Sequence, residues 1–176
     1  MAGREGKPLV GIVMGSDSDW ETMEGAAERL KAFEIPFEVQ VMSAHRSPKV
    51  VMRYAESARR RGLGVVIAGA GGAAHLAGAV AAHTTLPVIG VPVASSTLQG
   101  LDALLATVQM PPGVPVATVA IGRGGADNAA ILAVQILSLR NRPLRQRLER
   151  FKAELAESVT GKNLRIQRKV FPESSD

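Results

Sequence analysis

The sequence predicts an α/β protein with a parallel sheet and helices on both of its faces. Two observations carry that expectation. Short apolar runs of strand length alternate with segments whose apolar residues recur at helical spacing. Most of the runs also end in loops built from Gly, Ser, Asp, Arg or His. Right-handed crossovers bring such loops to one edge of a parallel sheet, where α/β proteins place their ligands.

Each element has a local reason. Pro8–Met14 (PLVGIVM) is a short apolar run and reads as a buried strand. Gly15-Ser16-Asp17-Ser18-Asp19 follows, and Trp20, Met23, Ala26, Ala27, Leu30 and Phe33 then recur at helical spacing. Acids at the start of that helix suit its N-terminal dipole. Residues 37–42 give a second strand. A second helix opens at Pro48 and ends near Arg60, where Arg59-Arg60-Arg61-Gly62 supplies cations and a stop. Val65–Ala68 is a third strand, and Gly69-Ala70-Gly71-Gly72-Ala73-Ala74-His75-Leu76 a Gly-rich turn into a third helix. Leu86–Val91 and Val116–Ile121 read as the fourth and fifth strands. Leu98–Val108 and Ala126–Leu139 read as helices, and a last helix runs from about Pro143 to Ser158. These elements make one domain over residues 1–160, with 161–176 a loosely ordered basic tail.

Composition narrows the function classes. No apolar run approaches the roughly 20 residues of a membrane span, and residues 1–7 lack the apolar stretch of a signal peptide. With no cysteine, disulfides and thiolate catalysis are excluded, and a cytoplasmic setting is expected. The net charge of +5 is local. Residues 1–139 hold 11 Lys and Arg against 11 Asp and Glu, whereas 140–176 hold 10 against 5. A basic tail can bind nucleic acid. Here Phe151 is its one aromatic before the last few residues, and Glu149, Glu154 and Glu157 are interspersed. A solvated or subunit-contacting helix is the better reading.

Three loops carry chemistry-bearing groups. Ser43-Ala44-His45-Arg46-Ser47-Pro48 places a proton-transfer group, a forked cation and two hydroxyls together at a strand end. Isolated loop histidines are usually solvent-exposed or hydrogen-bonded bystanders, but Arg46 and the strand-end position favour chemistry on an anionic substrate. In Gly15–Asp19, a helix N-terminus and hydroxyls suit phosphate, while Asp19 suits ribose hydroxyls. Ser16 or Asp17 serving only as an N-cap is the plain alternative. The Gly69–His75 run resembles a dinucleotide loop only loosely. It follows the third strand, and residues 88–98 lack the expected acid. Either its small residues let the backbone approach a neighbour closely, or they admit a flat substrate beside His75. His83 has no special setting and reads as surface or interface. Gln109–Pro115 is a pocket wall or a linker. Three histidines and scattered acids offer no metal-ligand spacing.

Taken together, these residues resemble the class I PurE family, the N5-carboxyaminoimidazole ribonucleotide mutases. The matching runs are Met14–Trp20, Ser43–Pro48, Ala68–Leu76, Leu86–Val93, Gln109–Pro111 and Gly113–Gly122, in order and spread over roughly residues 8–140. The resemblance implies a flavodoxin-like α/β/α subunit with an extra C-terminal helix, assembled into a homo-octamer. It implies a step of de novo purine synthesis in which a carboxylate moves from the exocyclic nitrogen of the ribonucleotide to ring carbon C4. CO2 is held as a bound intermediate, and no cofactor or metal is used. Ser16, Asp19 and Arg46 would bind the ribose-phosphate, with Arg46 on phosphate. Ser43, Ala44 and Leu76 would line the substrate, and the backbone of Gly71, Gly72, Ala73 and Ala74 would line its base. His45 would be the general acid and base, and His75 would orient the substrate or its carboxylate. Two positions depart from the family: Ala77 stands where Pro is usual, leaving the start of the third helix less fixed, and His83 where Lys or a small residue is common. Relatives that carboxylate the free aminoimidazole, the class II enzymes, typically carry Lys in place of Arg46 and a different third loop.

Overall fold

The computed structural model describes residues 9–171. It separates into two compact units, Met1–Leu137 and Ser138–Asp176. The first is built on five parallel strands: β1 (Val10–Met14), β2 (Phe37–Val41), β3 (Val65–Gly71), β4 (Val88–Val93) and β5 (Ala117–Thr118). Their spatial order is β2-β1-β3-β4-β5, the flavodoxin-like order, whose ligand crevice lies at the β1/β3 switch point. β1, β3 and β4 are apolar along their length because helices cover both faces of the sheet.

The helices divide between those faces. On one side α2 (Pro48–Arg61) and α3 (Leu76–Ala82) bury Val51, Ala55, Leu76 and Val80 against Val13, Val66 and Val88. Thr107 of α4 (Leu101–Val108) meets the sheet on this side too, at the place a side chain on Gly90 would need. On the other side lie α1 (Trp20–Ala32) and α5 (Arg123–Ser138). Met23 of α1 occupies the space a Cβ on Gly69 would claim, so any larger residue there would have to displace it. Arg29 of α1 pairs with Asp127 of α5 at 2.6 Å, and Arg123 reaches Glu28 at 2.6 Å. The Arg29–Asp127 pair is partly exposed and contributes at most about 1 kcal/mol.

Most boundaries follow the local signals. Pro48 opens α2, and Gly62 closes it in the left-handed conformation (φ 102°). Three strands differ from expectation. β3 runs on to Gly71, because the first glycines of the Gly-rich run still pair with β4, Ala70 with Pro92 and Gly71 with Val93. β4 starts at Val88, since Pro87 has no N–H to give a ladder. β5 keeps only two residues, and its contact with β4 continues as single bonds from Val119 N–H to Gly90 O and Gly122 N–H to Pro92 O. β3 and β4 end at Gly71 and Val93 rather than at Ala68 and Val91, which moves the loops after them three and two residues later in the chain.

The second unit is one long helix, α6 (Arg142–Val170), capped by the Asn141 side chain on the Leu144 N–H. It passes through Gly161 without a break, so residues 162–170 are helical where loose order was expected. Residues 172–176 lie outside the described part. A lone exposed glycine costs a helix only about 1 kcal/mol, too little to end a helix of 29 residues.

Candidate active site

Because β2, β1, β3 and β4 are neighbours, the loops after them converge at the carboxyl edge of the sheet. They enclose an open cavity of about 210 Å³. It is lined by Gly15, Ser16, Ser18 and Asp19 after β1, and by Ser43, Ala44, His45 and Arg46 after β2. Ala70, Gly71, Ala74, His75 and Leu76 come from β3 and its loop, and Ser95 comes from the loop after β4.

The β1 loop is held by its own side chains. Ser16 caps the short 3-10 turn Asp17–Asp19, its Oγ accepting from Ser18 N–H, while Asp19 Oδ2 accepts from Ser16 N–H at 3.1 Å. This is a capping box, so the plain reading of these residues holds. Both also line the cavity. Asp19 is buried, and that burial raises its carboxyl above the ordinary 3.8, opposed by the Ser16 and Gly15 N–H groups.

The β2 loop is closed by Ser47. Its Oγ accepts from Ser43 N–H at 3.0 Å and donates to Ser43 O at 3.1 Å. Expected as a second hydroxyl for a ligand, Ser47 is spent on the loop itself. Arg46 folds back: its backbone N–H donates to Ser43 Oγ at 3.2 Å, and its guanidinium donates to Ser43 Oγ at 3.4 Å and Gly15 O at 3.1 Å. The cation therefore stands between the β1 and β2 loops.

The β3 loop is set by backbone conformation. Gly72 (φ 60°) and Ala74 (φ 44°) are both left-handed, and Ala74 N–H donates to Gly71 O at 3.1 Å. The double reversal delivers His75 to the N-cap of α3, which starts at Leu76 although Ala77 is not proline. There His75 Nδ1 lies 2.6 Å from His45 Nε2, with the rings edge to face at 4.7 Å. Two histidines 30 residues apart in sequence thus meet in one cavity.

Of the residues expected here, Ser16, Asp19, Ser43, Ala44, His45, Arg46, Gly71, Ala74, His75 and Leu76 line the cavity, whereas Gly72 and Ala73 do not. Ala73 is exposed, and Gly72 is needed for its φ rather than for contact. Gly15, Ser18, Ala70 and Ser95 were not singled out. Ser95 was findable by the same rule, since it follows a parallel strand. Gly71 is tied to it, because a Cβ there would strike Ser95 Oγ. His83 is exposed at the far end of α3, in a separate groove with Arg59 and Arg60. Met110 packs against Gly78 of α3 and is not part of the cavity.

Fold and site together define a flavodoxin-like α/β protein whose switch-point cavity offers hydroxyls, a fixed cation, a buried carboxyl and a pair of imidazoles. Such a set suits a phosphorylated, sugar-bearing molecule and proton transfer upon it. The comparisons narrow that class. A family model described as AIR carboxylase matches residues 9–158. A protein of Mycobacterium tuberculosis named N5-carboxyaminoimidazole ribonucleotide mutase is 57% identical over 162 residues, 92% of each chain. A Bacillus subtilis protein of the same name is 56% identical over 87% of this chain and 94% of its own. The crystal structure of Treponema denticola PurE superimposes with TM-score 0.80 at 27% identity, over 94% of this chain and 99% of that one. The chain belongs to the AIR carboxylase (PurE) family.

Proposed function

We propose that this chain is an N5-carboxyaminoimidazole ribonucleotide mutase of de novo purine synthesis. It would yield 4-carboxy-5-aminoimidazole ribonucleotide on the route to IMP. The observation that carries this reading is the meeting of His45 and His75 in one cavity beside Arg46. The names of the relatives support it.

In this reading Arg46 takes the phosphate, and Ser16 and Asp19 hold the ribose. Ser43, Ala44, Leu76 and the backbone of residues 71–74 surround the base. Cationic His45 protonates the exocyclic nitrogen. The N–C bond of the carbamate then breaks and its electron pair returns to nitrogen, releasing CO2. The aminoimidazole C4 attacks the retained CO2, and neutral His45 removes the proton now on C4. One imidazole serves both steps, because the first leaves it in the state the second needs. CO2 must not escape between them, which calls for a closed site once substrate is bound. No cofactor enters this sequence.

The same reading includes a homo-octamer in the cytoplasm. Its support is apolar surface. Leu98, Leu101, Leu105 and Val108 are exposed along and just before α4, and Leu155, Val159, Ile166 and Val170 are exposed on α6. Light scattering of the full chain and of a chain ending at residue 160 tests the assembly and the part α6 plays in it.

Supplying the two candidate substrates separately tests the reaction. Rapid conversion of N5-carboxyaminoimidazole ribonucleotide, with little use of free aminoimidazole ribonucleotide and CO2, is the expected result. The reverse preference would make the chain a carboxylase instead.

A further inference from the structure

We infer that His75 is a positioning residue that accepts a hydrogen bond from His45 Nε2–H, leaving His45 Nδ1 as the atom that exchanges the proton with substrate. His45 Nε2 and His75 Nδ1 lie 2.6 Å apart, so one proton, and only one, lies between them. Two arrangements satisfy that contact. In the first, His45 donates and His75 accepts, its own proton being on Nε2. In the second the roles are exchanged.

The chemistry chooses between them. If His45 accepted at Nε2, the proton of its neutral ring would sit on Nδ1. Neither nitrogen would then have a free lone pair, and His45 could not take a proton from C4. If His45 donates at Nε2, its neutral ring has a bare Nδ1, which is a base. The cationic ring carries N–H at both nitrogens, so it keeps the bond to His75 while Nδ1–H serves the substrate nitrogen. One hydrogen bond therefore persists through both halves of the reaction. It is stronger when His45 is charged, because the donor is then an imidazolium. The proton count closes: Nδ1 gives one proton to nitrogen as the N–C bond breaks, and takes one from C4 after the C–C bond forms.

This also changes what His75 does. With Nδ1 engaged by His45, its remaining polar atom is Nε2–H, a donor only. His75 thus orients the working imidazole, as the third member of a nucleophile–base–orienter set does. The charged groups facing the pair across the cavity are Asp19 from the β1 loop and Arg46 from the β2 loop. The β3 and β4 loops contribute none besides His75 itself.

The turnover part of this inference rests on the mutase reading, and the hydrogen bond does not. Protein with 15N-labelled histidine tests the bond directly. A scalar coupling between the two facing nitrogens is expected, with chemical shifts marking His75 as the Nε2–H tautomer. Absence of the coupling, or His75 carrying its proton on Nδ1, overturns the assignment. Turnover tests the role through His75→Leu, which has no acceptor, and His75→Asn, whose Oδ1 stands about where Nδ1 was. His75→Leu should lower kcat by roughly 10–100-fold, the loss seen when the partner orienting a metal-bound imidazole is removed, with KM little changed. His75→Asn should recover most of that loss. Equal kcat in His75→Leu and the unmodified protein would overturn the positioning role, as would equal losses in the two variants. If the unmodified protein shows the coupling but no mutase turnover, the mutase reading fails while the hydrogen bond stands.

Discussion

The two loops that carry the histidines reach the same point by different means. The loop after β2 is tied by side chains: Ser47 Oγ bridges to the backbone of Ser43, and Ser43 Oγ receives Arg46. The loop after β3 is tied by its backbone: Gly72 and Ala74 are left-handed, and a Cβ on Gly71 would crowd Ser95 and the Val93 carbonyl. Side-chain ties can be removed one atom at a time. Backbone ties are lost only when an added atom forces the chain aside. The His45 loop should therefore loosen by degrees, whereas the His75 loop should tolerate most changes and fail abruptly at Gly71.

Gly71→Ala is the largest test of that contrast. The new methyl would meet Ser95 and lie 3.1 Å from Val93 O. Overpacking of this kind costs about 1–3 kcal/mol, and urea unfolding should show it. Turnover should fall as well, because His75 moves with the loop. Ser47→Ala comes next. It removes the acceptor of Ser43 N–H and one donated bond, a loss of about 1–2 kcal/mol. The change adds no atom that would force the loop aside, so activity should decline without collapse. Ala74→Gly is the smallest of the three. Relief of the φ of 44°, worth about 1–2 kcal/mol, opposes an unfolded-state entropy cost of about 0.4–1 kcal/mol. A small net gain, between about 0 and 1.6 kcal/mol, is expected. A large loss would mean that the Ala74 methyl, not the backbone, holds His75.

Asp19 adds a pH test at the base of the β1 loop. Its carboxyl is raised above 3.8 by burial. A group whose folded value is raised contributes stability that is present below its unfolded value and lost as pH rises through the folded one. From this residue, stability should therefore fall as pH climbs from 3.8. Asp19→Asn, which keeps an acceptor for Ser16 N–H, should lose that slope. Thermal melts across acid pH would show it, and a slope unchanged in the variant would remove Asp19 as the cause.

How much of the site was legible follows from the strand order. Which residues follow each strand is local information, so Ser16, Asp19, Ser43, His45, Arg46 and His75 could be read from the chain. Which loops meet is not local. It depends on β1 lying between β2 and β3 with β4 beside β3, and this is why Ser95 reaches the cavity while the loop after β5 does not line it. Ser47 was misread for a related reason. A hydroxyl two residues from a histidine looks like a ligand group until the turn is built and the hydroxyl is found facing Ser43. At the far end of the chain, the helix expected to end near Ser158 runs on to Val170, because a single glycine at 161 is a weak breaker inside a long helix.

The central claim is that the His45 imidazole moves the proton in a carboxyl transfer. Turnover of freshly prepared N5-carboxyaminoimidazole ribonucleotide by the unmodified chain and by His45→Asn tests it most directly, with ligand binding measured on both. The account predicts conversion by the first and retained binding by the second, with turnover reduced by about 10²–10⁴-fold, the range for a lost acid–base group. Equal conversion by both proteins would contradict it.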